Sequence, residues 1–437
     1  MKKVLSLLVM VAALAVAYSC EPKEEPQDVT IQLTQNDVNY AKEGITVIVS
    51  GPATFEATTN AQGVATFSLP VGIYDASVAF RGIDANGVVT NCNGKTAITV
   101  VDKKADPNAV NDFKLPVIAS QGSQLIIKEV YAGGCQKNDN SGTYANDKYI
   151  ILYNNAGTEV DASKICIGHI NPPNAHASNK YYDKDGKLTY TDWLPAGYGY
   201  WYFTTTVKIP AYSQIVISIM GAVNHTETYT KSVDLSNADY VMYDKESGFN
   251  MASYYPAPAF TDASRYMKAV KYGLGTGWVT SNFSPGFFLF RLDNPATYAD
   301  DKANLDETMG ATMPNAIIRE AAIVDGAEIF NIPKLADSKT RFIPSVDAGY
   351  AKFTNGQGYS IYRNVDKEAT EALAENAGKL VYNYAGGTVD VDAENGTTDP
   401  SGIDAEASIA NGAHIIYLDT NNSSNDFHQR KVASIKK

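Results

Sequence analysis

Residues 124–134 read QLIIKEVYAGG, and residues 146–170 read NDKYIILYNNAGTEVDASKICIGHI. Each holds a run of aliphatic and tyrosine side chains that stops at Gly or Asn. Runs of that kind, bounded by turn residues, read as strands. The rest of the chain agrees. Among its 437 residues, 28 are tyrosine, Gly, Asn, Asp, Thr and Val are frequent, and leucine-rich helical periodicity is nearly absent. The expected class is all-β: many short strands joined by tight turns.

Residues 28–118 read as one small β-sandwich. DVTIQLT and GITVIVSG alternate as strands, and Asn60-Ala61-Gln62-Gly63 and Pro70-Val71-Gly72 supply turns. The hairpin TNAQGVATF followed by LPVGIY resembles the carboxypeptidase regulatory-like, transthyretin-like module, which implies a spacer or docking role. A linker with Pro107, Pro116 and ASQGSQ leads to the next domain.

The two opening stretches resemble the lamin-tail domain, an immunoglobulin-like β-sandwich. Glu129-Val130, Tyr153-Asn154 and Val160-Asp161 carry the match. GYSIYRN (358–364) and YLDTNNSSNDFHQRKVASIK (417–436) resemble its last strands, through Asp419, Asn421, Asn422 and Asp426. Lys148 and Ile151 replace the usual acidic residues of the second strand, and Cys166-Ile167 stand where a tryptophan is usual. The resemblance implies one domain over 119–437, with insertions at 169–205 and 244–290. A short helix is expected at 365–380, capped near Gly378.

The first residues give a location. Met1-Lys2-Lys3, an apolar run from Val4 to Ala17, and Ala17-Tyr18-Ser19 before Cys20 resemble a bacterial lipobox. That implies a signal peptide over 1–19, cleavage before Cys20 and lipidation of its sulfur, with residues 20–27 as an acidic tether. Lys23-Glu24-Glu25 resembles the surface-export signal of Bacteroidota lipoproteins. The expected site is the outer membrane, lipid-anchored and facing the medium. The net charge of −12 argues against nonspecific nucleic-acid binding.

The chemistry-bearing residues are few. HExxH, phosphate-binding GxxxxGK[ST] and GxSxG are absent, and GLGTGW (273–278) lacks a βαβ setting. His169 and His176, with Asp183 or Asp185, offer metal ligands around Pro172-Pro173, beside the alternative of a solvated polar loop. DTNNSSND (419–426) lacks the glycine of a calcium loop, and Arg430 sits where its last glutamate would be, so it reads as an Asx-stabilised closure. Cys135 and Cys166 form the better disulfide pair; three buried thiols, Cys92 included, are the alternative.

Aromatic residues crowd one window. Trp193, Tyr198, Tyr200, Trp201 and Tyr202 are candidate ligand-binding residues. Strand spacing puts Tyr198, Tyr200 and Tyr202 on one face and Trp201 and Phe203 on the other. A small molecule or glycan would meet the outward face; packing beneath 244–290 is the alternative. No cofactor is called for.

As a whole the chain resembles a family of Bacteroidota surface lipoproteins that joins a regulatory-like module to a lamin-tail-like domain. The resemblance implies a non-enzymatic binding or docking accessory of a TonB-dependent β-barrel. An adhesin or structural envelope protein, and a hydrolase with a dispersed site, are the alternatives.

Overall fold

The computed structural model describes residues 25–83, 89–184, 186–388 and 398–436. Cys20, the signal segment and Asp185 lie outside them. Strands make up 37% of the described residues and helical turns 11%, so the protein is mainly β. No helix among the described residues is long and apolar enough to cross a membrane.

The chain divides into two compact units, one of Met1–Val78 with Gly94–Ile118, the other of Ala79–Asn93 with Ala119–Lys437. In the first, Gln27–Gln35 pairs antiparallel with Val64–Leu69 and parallel with Asp112–Pro116. In a second sheet, Thr46–Ser50 pairs antiparallel with Thr54–Thr58 and, on its other side, with residues 75–78. Alternate residues Val29, Ile31, Val47, Val49, Ala65, Phe67, Ala76 and Val78 are buried, as period-two strands require. The 60–63 turn forms through Asn60, whose side-chain oxygen accepts from the Gln62 and Val64 amides at 3.0 and 3.1 Å. Gly63 has φ 76°, and a Cβ there would lie 1.9 Å from the Tyr40 carbonyl oxygen, so only glycine fits.

The second unit is dominated by one twelve-stranded sheet. Its order is Ala351–Phe353, Ile323–Asn331, Gly286–Arg291, Ile165–His169, Gly199–Tyr202, Tyr266–Lys271, Tyr240–Met242, Gln214–Ser218, Tyr149–Asn154, Leu125–Tyr131, Ser360–Arg363, Phe427–Arg430. Leu125–Tyr131 and Tyr149–Asn154 are buried end to end, which is why their sequences run apolar without alternating. The ladder slips between Ile127 and Glu129. There the Ile127 amide turns to the Asp325 carboxylate, 2.6 Å away. That bond ties the tenth strand to the second, so the sheet curls around a core containing Ile127, Ile150, Ile167, Trp201, Phe287 and Ile329. Trp193–Gly197, Asn315–Arg319 and Leu305–Asp306 form a separate three-stranded sheet over another apolar cluster.

The expected 365–380 helix is shorter. It comprises Lys367–Glu371, capped by Asp366, then a 3-10 turn at Ala374–Asn376 and Gly378 at φ 73°. Tertiary bonds end it early: the Asn376 amide group donates to Thr370 O and His414 O.

Candidate functional site

The aromatic window does not form an exposed platform. Trp201 and Tyr200 are fully buried. Trp201 and Phe203 join the main core, where Trp201 meets Phe249, Tyr255 and Trp278. Tyr200 and Tyr202 turn to the other apolar cluster, and the Tyr200 hydroxyl donates to Pro295 O at 2.5 Å. Tyr198 leaves the expected face. Its φ is 63° and Gly199 follows at φ 154°, which breaks the two-residue repeat and sends Tyr198 to the main core. Trp193, half-buried, packs on Tyr181 and Tyr190. Tyr198, Tyr202 and Trp193 keep partial exposure, but as edges of packed clusters.

The metal-ligand candidates are also dispersed among packing partners. His169 is buried, with ring centroids 5.4 Å from Tyr198 and 5.0 Å from Trp278. Burial depresses its pKa to about 3, so the ring is neutral. With Nδ1 donating to Ile170 O at 3.1 Å, Nε2 is left as an acceptor. His176 packs on Phe283 instead. Asp183 is exposed in a hairpin and accepts from the Lys187 amide at 2.9 Å. Among the described residues no group of three His, Cys, Asp or Glu side chains can hold a metal ion. Cys135 and Cys166 carry unbonded thiols, so the expected disulfide is not formed. Burial pushes the Cys135 thiol up to about 11 and raises Cys166 further, which leaves both unreactive at neutral pH.

What the fold does assemble is a set of adjoining loops whose own residues carry no charge; the Lys271 ammonium reaches them from the neighbouring strand, donating to Gly273 O at 2.8 Å. Residues 165–179, 247–261, 272–290 and 308–318 contain no Asp, Glu, Lys or Arg. Their exposed parts meet. The Asn250 and Met251 amides both donate to Thr276 O at 3.0 Å, and the Leu274 amide donates to Thr312 O at 3.2 Å. The Ala175 amide donates to the Ser284 hydroxyl at 2.7 Å. Leu274, Val279, Phe283 and Met313 stand out from this surface, Leu274 with 70% of its area exposed. Gly273 and Gly275, at φ 98° and 100°, flank Leu274 and project it.

Charges hold these loops from beneath. Arg341 and Glu328 are completely buried. Arg341 Nε donates to Glu328 Oε1 at 3.1 Å, and the Arg341 amide to Oε2 at 2.7 Å. Its Nη1 donates to Pro172 O and Pro173 O at 2.6 and 2.9 Å, and Nη2 to Ser284 O at 2.8 Å. One guanidinium thus fixes two of the four loops. Lys148, also buried, donates to Thr280 O and Oγ1 at 2.8 and 2.9 Å. Burial lowers its pKa to about 7. Arg341, Glu328 and Thr280 carried no sequence signal: each sits in a stretch that reads as an ordinary strand or polar loop.

Residues 212–399 match a family model described as a protein of unknown function, DUF4876. The DUF4876 match spans three of the four charge-free loops, together with Glu328 and Arg341, and stops short of the 417–436 closing segment. Among solved structures, a DUF4876 family protein from Bacteroides thetaiotaomicron is similar at 18% identity, over 92% of this chain and 95% of that one, with a TM-score of 0.49. A DUF3823 family protein from Parabacteroides merdae is similar at 6% identity, over 34% of this chain and 67% of that one, with a TM-score of 0.17. No curated protein matches.

Proposed function

We propose that this chain is a non-enzymatic outer-membrane lipoprotein that docks onto a TonB-dependent β-barrel and assists uptake of a nutrient or metal complex. On this reading Cys20 carries the lipid anchor at the cell surface. Residues 28–118 are the regulatory-like spacer, and 119–437 are the lamin-tail-like docking domain. The observation that supports it is the set of adjoining loops that carry no charged residue of their own and expose Leu274, Val279, Phe283 and Met313. Large apolar side chains gathered in one patch mark interaction sites, whereas scattered ones do not. Depletion of charge with aromatic and methionine side chains is the composition of a protein–protein interface core. A membrane surface fits less well. Interfacial loops that bind anionic lipid carry Lys and Arg; the four loops carry neither, and their flanks mix both signs, from Lys180, Lys271 and Arg319 to Asp262 and Glu307.

The test is crosslinking in intact cells with a tagged copy, scored with protease accessibility. Recovery of a TonB-dependent barrel by the wild type, and its loss in L274D/F283D, is the expected result. A protease-protected protein, or equal recovery by the variant, sinks the reading. Glycan binding with no barrel recovered would favour the adhesin.

A further inference from the structure

Arg363, at the end of Ser360–Arg363, is the single cation facing three buried carboxylates among the described residues. Its Nη2 donates to Asp325 at 2.7 Å, and Nη1 lies 3.3 Å from Asp419 and 3.6 Å from Asp426. The four side chains are at most 5% exposed. They come from four segments: Ser360–Arg363, Ile323–Asn331, the loop at Asp419, and the short helix Ser423–Asp426. The other groups on Arg363 are neutral: Ile127 O, Leu418 O and the Phe427 ring. Fully ionised, the cluster would carry two uncompensated negative charges in a dry interior. That is costly enough for such a site to take up a proton instead. Burial accordingly raises the pKa of both Asp325 and Asp426, Arg363 notwithstanding.

The hydrogen bonds show where a proton fits. Asp325 Oδ1 accepts from the Gly326 amide, and Oδ2 from the Ile127 amide and Arg363. Asp419 Oδ2 accepts from the Ser123 amide and Oδ1 from Arg363. Asp426 Oδ2 accepts from the Thr420 and Asn422 amides. Every one of these oxygens faces an N–H, which cannot accept. Asp426 Oδ1 faces the Thr420 hydroxyl at 2.7 Å, and a hydroxyl can reverse its role.

We infer that Asp426 is a proton-binding site: its Oδ1 holds a proton against Thr420 Oγ1, and this neutral carboxyl lets the 419–426 loop close over Arg363. The sign follows from linkage. A carboxyl held protonated in the fold favours folding at low pH, and that contribution is lost as pH rises through its folded pKa.

The experiment is unfolding of the full chain by denaturant from about pH 4, near the unfolded carboxyl, to about pH 7, above the folded value of about 6, comparing wild type, D426N and D325N. The amide introduced by D426N mimics the neutral carboxyl, so the wild-type folding constant should fall relative to D426N by up to about tenfold per pH unit, one proton's worth. Taking this ratio cancels other titrating groups, Lys148 and the neighbouring Asp347 included. D325N removes an acceptor from amide donors, so it should lose stability at every pH and keep the wild-type pH dependence. The infrared difference spectrum of folded wild type minus D426N should show a protonated-carboxyl band, a readout that does not need D325N to fold and in which other buried carboxyls such as Asp347 cancel. A D426N profile parallel to wild type, no band in that difference spectrum, or flattening by D325N instead would overturn the assignment.

Discussion

Two neighbouring regions of the second unit treat charge in opposite ways. The loops at 171–179, 247–261, 272–285 and 308–314 face solvent with no charged side chain, while Arg341 and Glu328, directly behind two of them, are ionisable and fully buried. The usual arrangement is the reverse. The difference teaches what each kind of residue is used for. Irregular loops leave backbone carbonyls that need donors, and a guanidinium supplies five in fixed directions. Arg341 spends three of its contacts on Pro172, Pro173 and Ser284. The loop side chains are then left free to be apolar.

The sharpest way to break this contrast is to remove the buried tether. R341A should destabilise the protein by about 3–5 kcal/mol, because Glu328 is stranded without its partner. Denaturant unfolding measures it. Burial already raises the Glu328 carboxyl, and the loss should shrink as acid protonates that side chain. R341M/E328L, by contrast, should recover most of the stability yet leave the loops unmoored, and so lose partner recovery. A double variant that still recovers the barrel would show that the tether does not position the face.

W201A probes the aromatic window. A buried tryptophan cut to alanine should cost about 3–5 kcal/mol in the same assay. A platform residue would instead cost little stability and remove binding. At the small end stand L274D and F283D, on side chains that are exposed. Each should change stability by less than about 0.5 kcal/mol while abolishing docking. A large destabilisation in either would mean that the surface is packing, and that the two regions are not distinct.

Much of this was legible in the chain. Strand runs such as LIIKEVY and YIILYN, the Asn60–Gly63 turn and the absence of helical periodicity specify an all-β protein, because these signals are local. The lack of charge in 272–290 can be read directly, although only the contacts through Thr276, Thr312 and Ser284 show that four such stretches share one surface. The aromatic window was readable as a pattern but not as a position. A single left-handed residue, Tyr198, breaks the repeat on which the two-face prediction depends, and the surrounding strands bury what composition left free to face outward.

The charged interior was not legible at all. Arg341, Arg363 and Lys148 look in sequence like any solvated basic residue. Composition and local propensity determined the strands, the turns and the uncharged runs, since those depend on neighbours along the chain. Which charges went inside, and which carboxylates they met, was decided by the tertiary structure. Asp325, Asp419 and Asp426 reach Arg363 from segments up to about a hundred residues apart in sequence, and burial gives such pairings their strength only once the sheet has closed around them.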